Sequence, residues 1–193
     1  MSLPALSKES IWYPLDRQRL TIPRLIKPWL HEPDSLTQAL IDCYLASQFR
    51  VKVYFQGKQT ASRTEQHRLQ IPARRQAIVR EVQLYSGTQP TVFARTLIPV
   101  THLKGQARRL GQLGEKPLGA VLFADPRTRR LAVEITQLSI QHSLYSRASQ
   151  AIGTQPSIIW GRRTLYQYAG QRLLVNEFFM PNIQEHPRCR ITA

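Results

Sequence analysis

Two oppositely charged residues stand at positions where a soluble β-strand normally places apolar side chains. Side chains alternate between the two faces of a strand, so Arg80 shares a face with Val82 and Leu84. By the same alternation Glu177 shares a face with Val175 on a later strand. Both charges are therefore predicted to point toward a core, although the other face of the Glu177 strand is apolar too.

A charge that is buried without a partner costs several kcal/mol, so Arg80 and Glu177 each need one. One alternative is a structural ion pair between the two residues that ties two hairpins together. The other is a pocket in which Arg80 binds a substrate carboxylate and Glu177 faces a neutral or basic oxygen. A desolvated glutamate is harder to ionise, and a protonated carboxyl group can donate a hydrogen bond or a proton. The residue pattern leaves both alternatives open.

Two adjacent arginines, Arg162 and Arg163, begin another strand-like segment after Trp160. A guanidinium group offers a planar fork to a carboxylate, so this pair could guide an acidic ligand. Because neighbouring side chains point to opposite faces, at least one of the two is expected in solvent. The five histidines form no H-x-x-x-H pair and have no acidic cluster beside them, so the sequence predicts no metal site.

The composition describes a basic chain of moderate size. With 193 residues and 42% hydrophobic content, we expect one domain over 1–193, with peripheral segments at 1–28 and 182–193. The net charge of +15 attracts anions, which include nucleic acid and small dicarboxylate substrates. Basic residues are scattered and form no arm-like run, so nucleic acid is not the expected partner.

Cysteine usage and the chain start indicate a cytoplasmic protein. Cys43 and Cys189 lack the spacing of a zinc site or a disulfide framework. The first residues show no signal-peptide pattern, and no stretch approaches the roughly 20 apolar residues of a membrane span.

The predicted elements indicate an α+β fold with a single antiparallel β-sheet and helices packed on one face. A capping-box pattern at 35–38 begins one helix, and Thr101 and Pro117 begin the two helices of a helix-turn-helix region. The predicted strands are 49–55, which Gly57 is expected to end, the hairpin 79–85 with 91–100, the segment 131–135, and the hairpin 160–168 with 172–180. The first 30 residues are expected on the surface, 141–157 shows no periodicity, and the tail after Pro181 is expected to be loose.

At these residues the chain resembles the chorismate pyruvate-lyases, which convert chorismate to 4-hydroxybenzoate and pyruvate. The matching motifs occur in family order and together span residues 29–181. They are Trp29-Leu30 with 34–37, Arg80-Glu81 with 94–100, 113–119 with Leu122-Phe123, 160–163, and 177–181.

The resemblance implies helix-turn-helix flaps over an enclosed site, no metal or organic cofactor, and a monomer acting on chorismate for quinone or related aromatic biosynthesis. Family ligand contacts correspond to Leu36, Arg80, Leu118 and Glu177. We expect the guanidinium fork of Arg80 to bind the ring carboxylate. Glu177 is expected to hydrogen-bond the oxygen that becomes the phenol, and general acid catalysis is a further role for Glu177. Arg95 and Arg163 are additional candidates for the enolpyruvyl carboxylate.

Two other functions remain open from the sequence. One is a non-catalytic small-ligand-binding domain of the same fold. The other is a basic nucleic-acid-binding protein, which the charge of +15 would suit. The segment from 137 to 157 looks longer than in compact bacterial members of the family, and the sequence assigns it no role.

Overall fold

The structure of the chain, a computed structural model, describes residues 8–43 and 48–185. Its centre is one sheet of seven strands, in the spatial order β1-β5-β6-β7-β4-β3-β2, with every neighbouring pair antiparallel. The strands are β1 (Tyr13–Pro14), β2 (Phe49–Thr60), β3 (Gln76–Ser86), β4 (Gln89–Pro99), β5 (Arg129–Leu138), β6 (Ile159–Tyr168) and β7 (Gln171–Phe179). The predicted α+β fold with a single antiparallel sheet is therefore confirmed.

Short helices lie between the strands. The α-helices are α1 (Lys27–Leu30), α2 (Leu36–Cys43), α3 (Arg63–Leu69), α4 (Leu118–Leu122) and α5 (Tyr145–Ser149). Among the described residues, 3₁₀ helices also occur at Val100–His102, Gly105–Gln112 and Pro181–Glu185. No helix of the described residues is long and apolar enough to cross a membrane.

Tight turns fix the register of the two long hairpins. Gly87, with φ of +56°, lies in the turn between β3 and β4. Ala169 and Gly170, with φ of +48° and +74°, form the two-residue turn between β6 and β7. Two successive residues with positive φ match the turn that follows the right-handed twist of paired strands. This turn places Arg162 directly opposite Glu177.

Two helical segments cover one face of the sheet. The first flap (residues 27–43) contains α1 and α2, and the second flap (residues 105–122) contains a 3₁₀ helix and α4. Each flap seals an apolar cluster against the sheet. The first cluster includes Trp29, Leu30, Leu40, Val51, Leu84, Ile135, Trp160 and Phe179. The second includes Ala107, Leu110, Leu122, Ile98, Tyr168 and Leu173.

The opposite face of the sheet is covered by α3 and α5, two helices that the sequence analysis did not predict. Helix α3 begins with a capping box, in which Ser62 Oγ accepts from the Glu65 N–H (3.3 Å) and Glu65 Oε2 accepts from the Ser62 N–H (2.9 Å). Its last residue, Leu69, is buried against Leu97 and Leu174. Helix α5 contributes its own cluster: Tyr145, Ala148, Phe93, Leu138, Ile159, Phe178 and Met180.

Several predicted boundaries differ from the structure. Strand β2 continues through Gly57 to Thr60, because it stays paired with β3 from Phe55 to Thr60 after a register shift at Tyr54. The helix predicted from Thr101 is replaced by two 3₁₀ segments, the second of which starts at Gly105, where φ is +52°. Ile183 is fully buried, so the chain after Pro181 remains packed on the protein as far as this residue, contrary to the prediction of a loose tail. Residues 1–7 and 186–193 lie outside the described residues.

Candidate active site

A cavity lies between the sheet and the two flaps, at the boundary between the two apolar clusters. About 540 Å³ of space there is not filled by protein atoms, and this volume includes space that is open to solvent. Strands β2, β3, β4, β6 and β7 form its floor and walls, and the starts of α2 and α4 form its roof. The lining residues are Ser35, Leu36, Thr37, Val51, Arg80, Val82, Leu84, Ala94, Thr96, Pro117, Leu118, Gly119, Leu122, Phe123, Tyr166, Val175 and Glu177.

The strand register separates the two charged lining residues, Arg80 and Glu177, along a diagonal of the sheet. Arg80 pairs with Thr96 on β4, whereas Glu177 pairs with Ala94 on the same strand. Two strand spacings across and two residues along give about 12 Å between their backbones. The small side chains of Ala94 and Thr96 leave the space between them open. The direct ion pair, one of the two alternatives that the sequence left open, does not form, and each charge has other partners.

Arg80 is 3% exposed and contacts no carboxylate among the described residues. Its Nε and Nη2 donate to the carbonyl oxygen of Gly114 (3.2 and 2.8 Å), and Nη2 also donates to that of Lys116 (3.0 Å). Burial lowers the pKa of Arg80 to about 10, which leaves the guanidinium charged at neutral pH. The result is a buried cation whose partners in the second flap are neutral carbonyl groups.

Glu177 is bound to Arg162 on the neighbouring strand. Arg162 Nε donates to Glu177 Oε2 over 2.8 Å, and the Arg162 side chain is only 1% exposed. Burial lowers the pKa of Arg162, but the charge and hydrogen bond of Glu177, with smaller contributions from Tyr166 and Glu32, together raise it above its ordinary value. No described residue donates to Glu177 Oε1, the carboxylate oxygen that is not engaged by Arg162.

Two helices begin at the cavity. Leu36 is the first residue of α2 and Leu118 is the first residue of α4. The N–H groups in the first turn of a helix have no acceptor within that helix, so the N–H groups of Leu36 and Leu118 are available to a ligand. The two helix starts also touch, because a Cβ added at Gly119 would lie 2.6 Å from Ser35 Oγ and 3.3 Å from Thr37 Oγ1.

Tyr166 lines the cavity beside the acidic end. Its hydroxyl accepts a hydrogen bond from Arg130 Nε over 3.2 Å. Burial, followed by the Glu177 charge, raises the pKa of Tyr166, which keeps the phenol neutral. Arg130 also donates to the carbonyl oxygens of Glu32 (2.7 Å) and Asp34 (2.5 Å) and thereby ties the first flap to this wall.

The structure brings Leu36, Arg80, Leu118 and Glu177 together in this one cavity. It does not bring Arg95 there, because residues of β4 alternate and Arg95 points to the opposite face. On that face Arg95 donates to carboxylate oxygens of Glu65 and Glu81. Burial lowers the pKa of Arg95, but these two carboxylates raise it by more, and the net direction is upward.

Arg163 also lies on the opposite face and does not line the cavity. It forms a salt bridge with Glu134 over 2.8 Å, and its guanidinium carbon lies 4.5 Å from the Trp12 ring centroid. The expectation that Arg162 or Arg163 would be solvated is wrong, since their exposed fractions are 1% and 4%. Each arginine points to its own face, as predicted, but both faces of the sheet are covered.

Sequence reasoning missed the role of Arg162, because the turn was predicted to contain three residues, 169–171, between strands 160–168 and 172–180. The observed turn has two residues, Ala169 and Gly170, and it fixes which residues of the two strands lie opposite each other. Counting back from that turn places Arg162 beside Glu177 on the same face. Side-chain alternation within a single strand does not show which residue of the next strand lies opposite, so the contact between Arg162 and Glu177 was not predicted.

Among residues 8–43 and 48–185, no three His, Cys, Asp or Glu side chains converge in a way that could hold a metal ion. The five histidines were not predicted to form a metal site. His142 Nδ1 accepts from the Ser139 N–H over 2.9 Å, and His102 Nδ1 lies 3.1 Å from the carbonyl oxygen of Arg172. Neither histidine lines the cavity.

Comparison with known proteins shows the family to which the chain belongs. The family model described as chorismate lyase matches residues 6–189. A protein of Nitrosospira multiformis named probable chorismate pyruvate-lyase is 39% identical over 176 residues, which cover 91% of this chain and 96% of that protein. A protein of Methylococcus capsulatus with the same name is 38% identical over 162 residues, covering 84% and 98%.

A solved structure shares the fold at low sequence identity. The crystal structure of a GntR-family transcriptional regulator from Bacillus cereus superposes with a TM-score of 0.52 and 9% identity. The match covers 70% of this chain and 93% of that chain. At this identity the likeness concerns the fold alone.

Proposed function

Because the chain belongs to the chorismate lyase family, we propose that it eliminates pyruvate from chorismate to give 4-hydroxybenzoate. We propose further that it acts in the cytoplasm as a monomer and supplies 4-hydroxybenzoate for quinone or related aromatic biosynthesis. The observation that carries the proposal is the buried Arg80 charge, which has no acidic partner among the described residues and faces Glu177 across an apolar floor.

Chorismate is a dicarboxylate with one carboxylate on its ring and another on an enolpyruvyl ether. In the reaction the bond between the ring carbon and the ether oxygen breaks, and the neighbouring carbon that bears the hydroxyl loses its hydrogen. The electron pair of that C–H bond completes the aromatic ring, and the hydrogen balance is restored at the methyl carbon of pyruvate. The two products contain all the atoms of chorismate, so no water or external oxidant is consumed.

Arg80 is the proposed partner of the ring carboxylate. The ring carboxylate would give the buried Arg80 guanidinium a negatively charged partner, which no described residue supplies. Hydrogen bonds between two charged groups are strong. The Nε and Nη2 atoms already donate to carbonyls of the second flap, so Nη1 is the nitrogen left for the ligand. The N–H groups of Leu36 and Leu118 are proposed as further donors to the same carboxylate.

Glu177 is the proposed partner of the ring hydroxyl. Oε2 is engaged by Arg162, so Oε1 is the oxygen that can accept from the ligand. A hydroxyl that donates to a carboxylate carries more electron density on its oxygen, which favours departure of the ether from the adjacent carbon. The salt bridge with Arg162 favours this acceptor role over general acid catalysis.

The apolar floor and the two flaps are proposed to hold chorismate in one reactive conformer. Val82, Leu84, Ala94 and Val175 offer flat apolar contact for the ring. The flaps exclude water, which strengthens the two polar contacts at the ends of the ligand. The enzyme therefore contributes mainly orientation and electrostatic stabilisation.

The direct test is turnover of chorismate by the purified protein. We expect pyruvate and 4-hydroxybenzoate to appear in equal amounts as chorismate disappears. Folded protein that binds chorismate without turning it over would favour the alternative of a ligand-binding domain. The pathway assignment has its own test, because a strain that lacks the gene should regain its quinone when 4-hydroxybenzoate is supplied.

A further inference from the structure

We propose that Arg162 is a positioning residue, which holds Glu177 ready for the ligand only while the first flap is seated. The inference rests on the proposed function, because it assigns Glu177 to the ring hydroxyl. Arg162 itself does not line the cavity, so its effect on the reaction is indirect. Its three described contacts connect the acidic end of the cavity to the flap that covers it.

The first connection runs from Arg162 to the carboxylate. Arg162 and Glu177 are directly paired residues on neighbouring strands and point to the same face. Arg162 Nε donates to Glu177 Oε2 at 2.8 Å. One carboxylate oxygen is thus fixed by the protein and the other is left for the ligand, which sets the direction from which a hydroxyl can donate.

The second connection runs from Arg162 to the first flap. Arg162 Nη1 donates to the carbonyl oxygens of Trp29 (3.3 Å) and Glu32 (2.9 Å), in and just after α1. The Trp29 side chain is fully buried, so these carbonyls hold their place only while α1 is packed on the sheet. If the flap lifts, Arg162 loses two acceptors and with them the orientation of its guanidinium group.

The charged and titratable groups around Glu177 show why Arg162 is the decisive neighbour. Tyr166 comes from the same strand as Arg162 and is a neutral phenol. Arg80 lies across the cavity on β3, about 12 Å away between backbones by the strand spacing. Glu32, from the first flap, is an acid whose charge acts on Arg162. Arg162 is therefore the one cation that contacts the Glu177 carboxylate among the described residues.

The chain offers a matched control in Arg163. It is the next residue of β6, is also buried, and forms a salt bridge with a glutamate, but it does so on the opposite face of the sheet. Removing Arg163 thus removes a buried arginine and a salt bridge without touching the cavity. Any effect that is specific to Arg162 must come from its contact with Glu177 and the flap.

The experiment compares chorismate turnover and its pH profile in the wild type, Arg162→Gln, Arg162→Lys and Arg163→Gln. We expect Arg162→Gln to lower kcat by about a hundredfold with a smaller change in KM, because the acceptor is misplaced. Loss of the adjacent cation should also raise the pH below which kcat falls. Arg162→Lys should restore the pH profile but only part of kcat, because an ammonium group cannot make the same set of bonds.

The control decides how these results are understood. Arg163→Gln should lose stability but keep kcat and the pH profile. Wild-type kcat and pH profile in Arg162→Gln would overturn the inference, and so would the same pH shift in Arg163→Gln. An inactive wild type would instead overturn the proposed function.

A second measurement serves if the Arg162 variants do not fold. Hydrogen exchange is followed in the wild type and in Glu177→Gln, with and without 4-hydroxybenzoate. We expect the product to slow exchange of the wild-type amides at residues 29–34 through Glu177 and Arg162, and to do so much less in Glu177→Gln. Protection of residues 105–122, which contact Arg80, should be similar in both proteins. Equal protection of residues 29–34 in the two proteins would contradict the link.

Discussion

The two faces of the sheet both bury arginines, but they treat the charge differently. On the face covered by α3 and α5, Arg95 contacts Glu65 and Glu81, and Arg163 contacts Glu134. On the cavity face Arg162 has Glu177, whereas Arg80 contacts, among the described residues, only carbonyl groups of the second flap. Both buried arginines of the opposite face thus have acidic partners, and on the cavity face Arg80 has none among the described residues.

This difference indicates that the buried arginines of the opposite face stabilise the fold, whereas Arg80 on the cavity face is available to a ligand. A buried arginine with its acids holds elements together, and removing it leaves those acids unpaired. A buried arginine without an acidic partner destabilises the folded protein, and a bound ligand carboxylate can offset this destabilisation. The pKa values depend on how far acidic partners offset burial: the pKa of Arg95, which has two carboxylate partners, is raised, whereas that of Arg80, which has no carboxylate partner among the described residues, is lowered to about 10. Burial also lowers the pKa of Arg163, where it outweighs the single carboxylate of Glu134.

The largest expected effect concerns activity on the cavity face. Arg80→Met should lower kcat/KM for chorismate by about 10³-fold, because the ring carboxylate loses its charged donor. The free energy of unfolding should change by only about 1 kcal/mol, because the lost hydrogen bonds are offset by removal of a desolvated charge. Steady-state kinetics and urea unfolding measure the two quantities. Near-normal turnover would remove Arg80 from the proposed mechanism.

The converse effect is expected on the opposite face. Arg95→Met should lower the free energy of unfolding by about 3–5 kcal/mol, because Glu65 is left buried without its cation and Glu81 keeps only the partly exposed Arg147. Folded Arg95→Met should nevertheless keep its kcat/KM at a temperature below its transition. Calorimetry and kinetics check the pair of outcomes. A large loss of activity in fully folded protein would show that the two faces are not separable.

A smaller effect is expected where the two flaps meet. Gly119→Ala should weaken 4-hydroxybenzoate binding by about tenfold, because moving Ser35 Oγ away sacrifices its contact with the Gln38 N–H at the start of α2. Gly111→Ala is the matched control, since its added Cβ would meet Leu103 at an ordinary 3.6 Å. Titration calorimetry measures both affinities. Equal affinities in Gly119→Ala and Gly111→Ala would mean that ligand binding does not depend on contact between the two flaps.

The smallest effect is a pH dependence of carboxylate binding. The affinity for benzoate, which has no hydroxyl to titrate, should be constant near neutral pH and fall as pH rises through about 10, where unliganded Arg80 loses its proton. Below its pKa, Arg80 is protonated and binds the anion with full affinity. Above that pKa the protonated fraction falls, so the affinity decreases by about tenfold per pH unit. Arg80→Met should bind benzoate weakly with no fall in this range. A wild-type profile as flat as that of the variant would contradict the role of Arg80.

The alternation of side chains was enough to predict the cavity face. It placed Arg80 with Val82 and Leu84, and Glu177 with Val175, and these residues do share a cavity. The partners of the charges depend on register and on distant segments. The three-residue turn predicted at 169–171 shifts the register by one residue from the observed pairing of Arg162 with Glu177. Nothing local could show that the carbonyls of Gly114 and Lys116 would contact Arg80.

The opposite face was harder to predict from the sequence. Helix α3 carries a capping-box pattern at Ser62 and Glu65 that was present in the sequence and was missed. Arg95 resembled a ligand-binding residue because its partners, Glu65 and Glu81, are 30 and 14 positions away. Only the folded sheet shows that these acids satisfy it.

A crystal structure with 4-hydroxybenzoate bound tests the contrast between the two faces most directly. We predict the product carboxylate at Arg80 Nη1, within reach of the N–H groups of Leu36 and Leu118, and the phenol oxygen at Glu177 Oε1. Arg95 and its carboxylates on the opposite face should be unchanged. A product bound with its carboxylate away from Arg80, or bound on the Arg95 face of the sheet, would contradict this account.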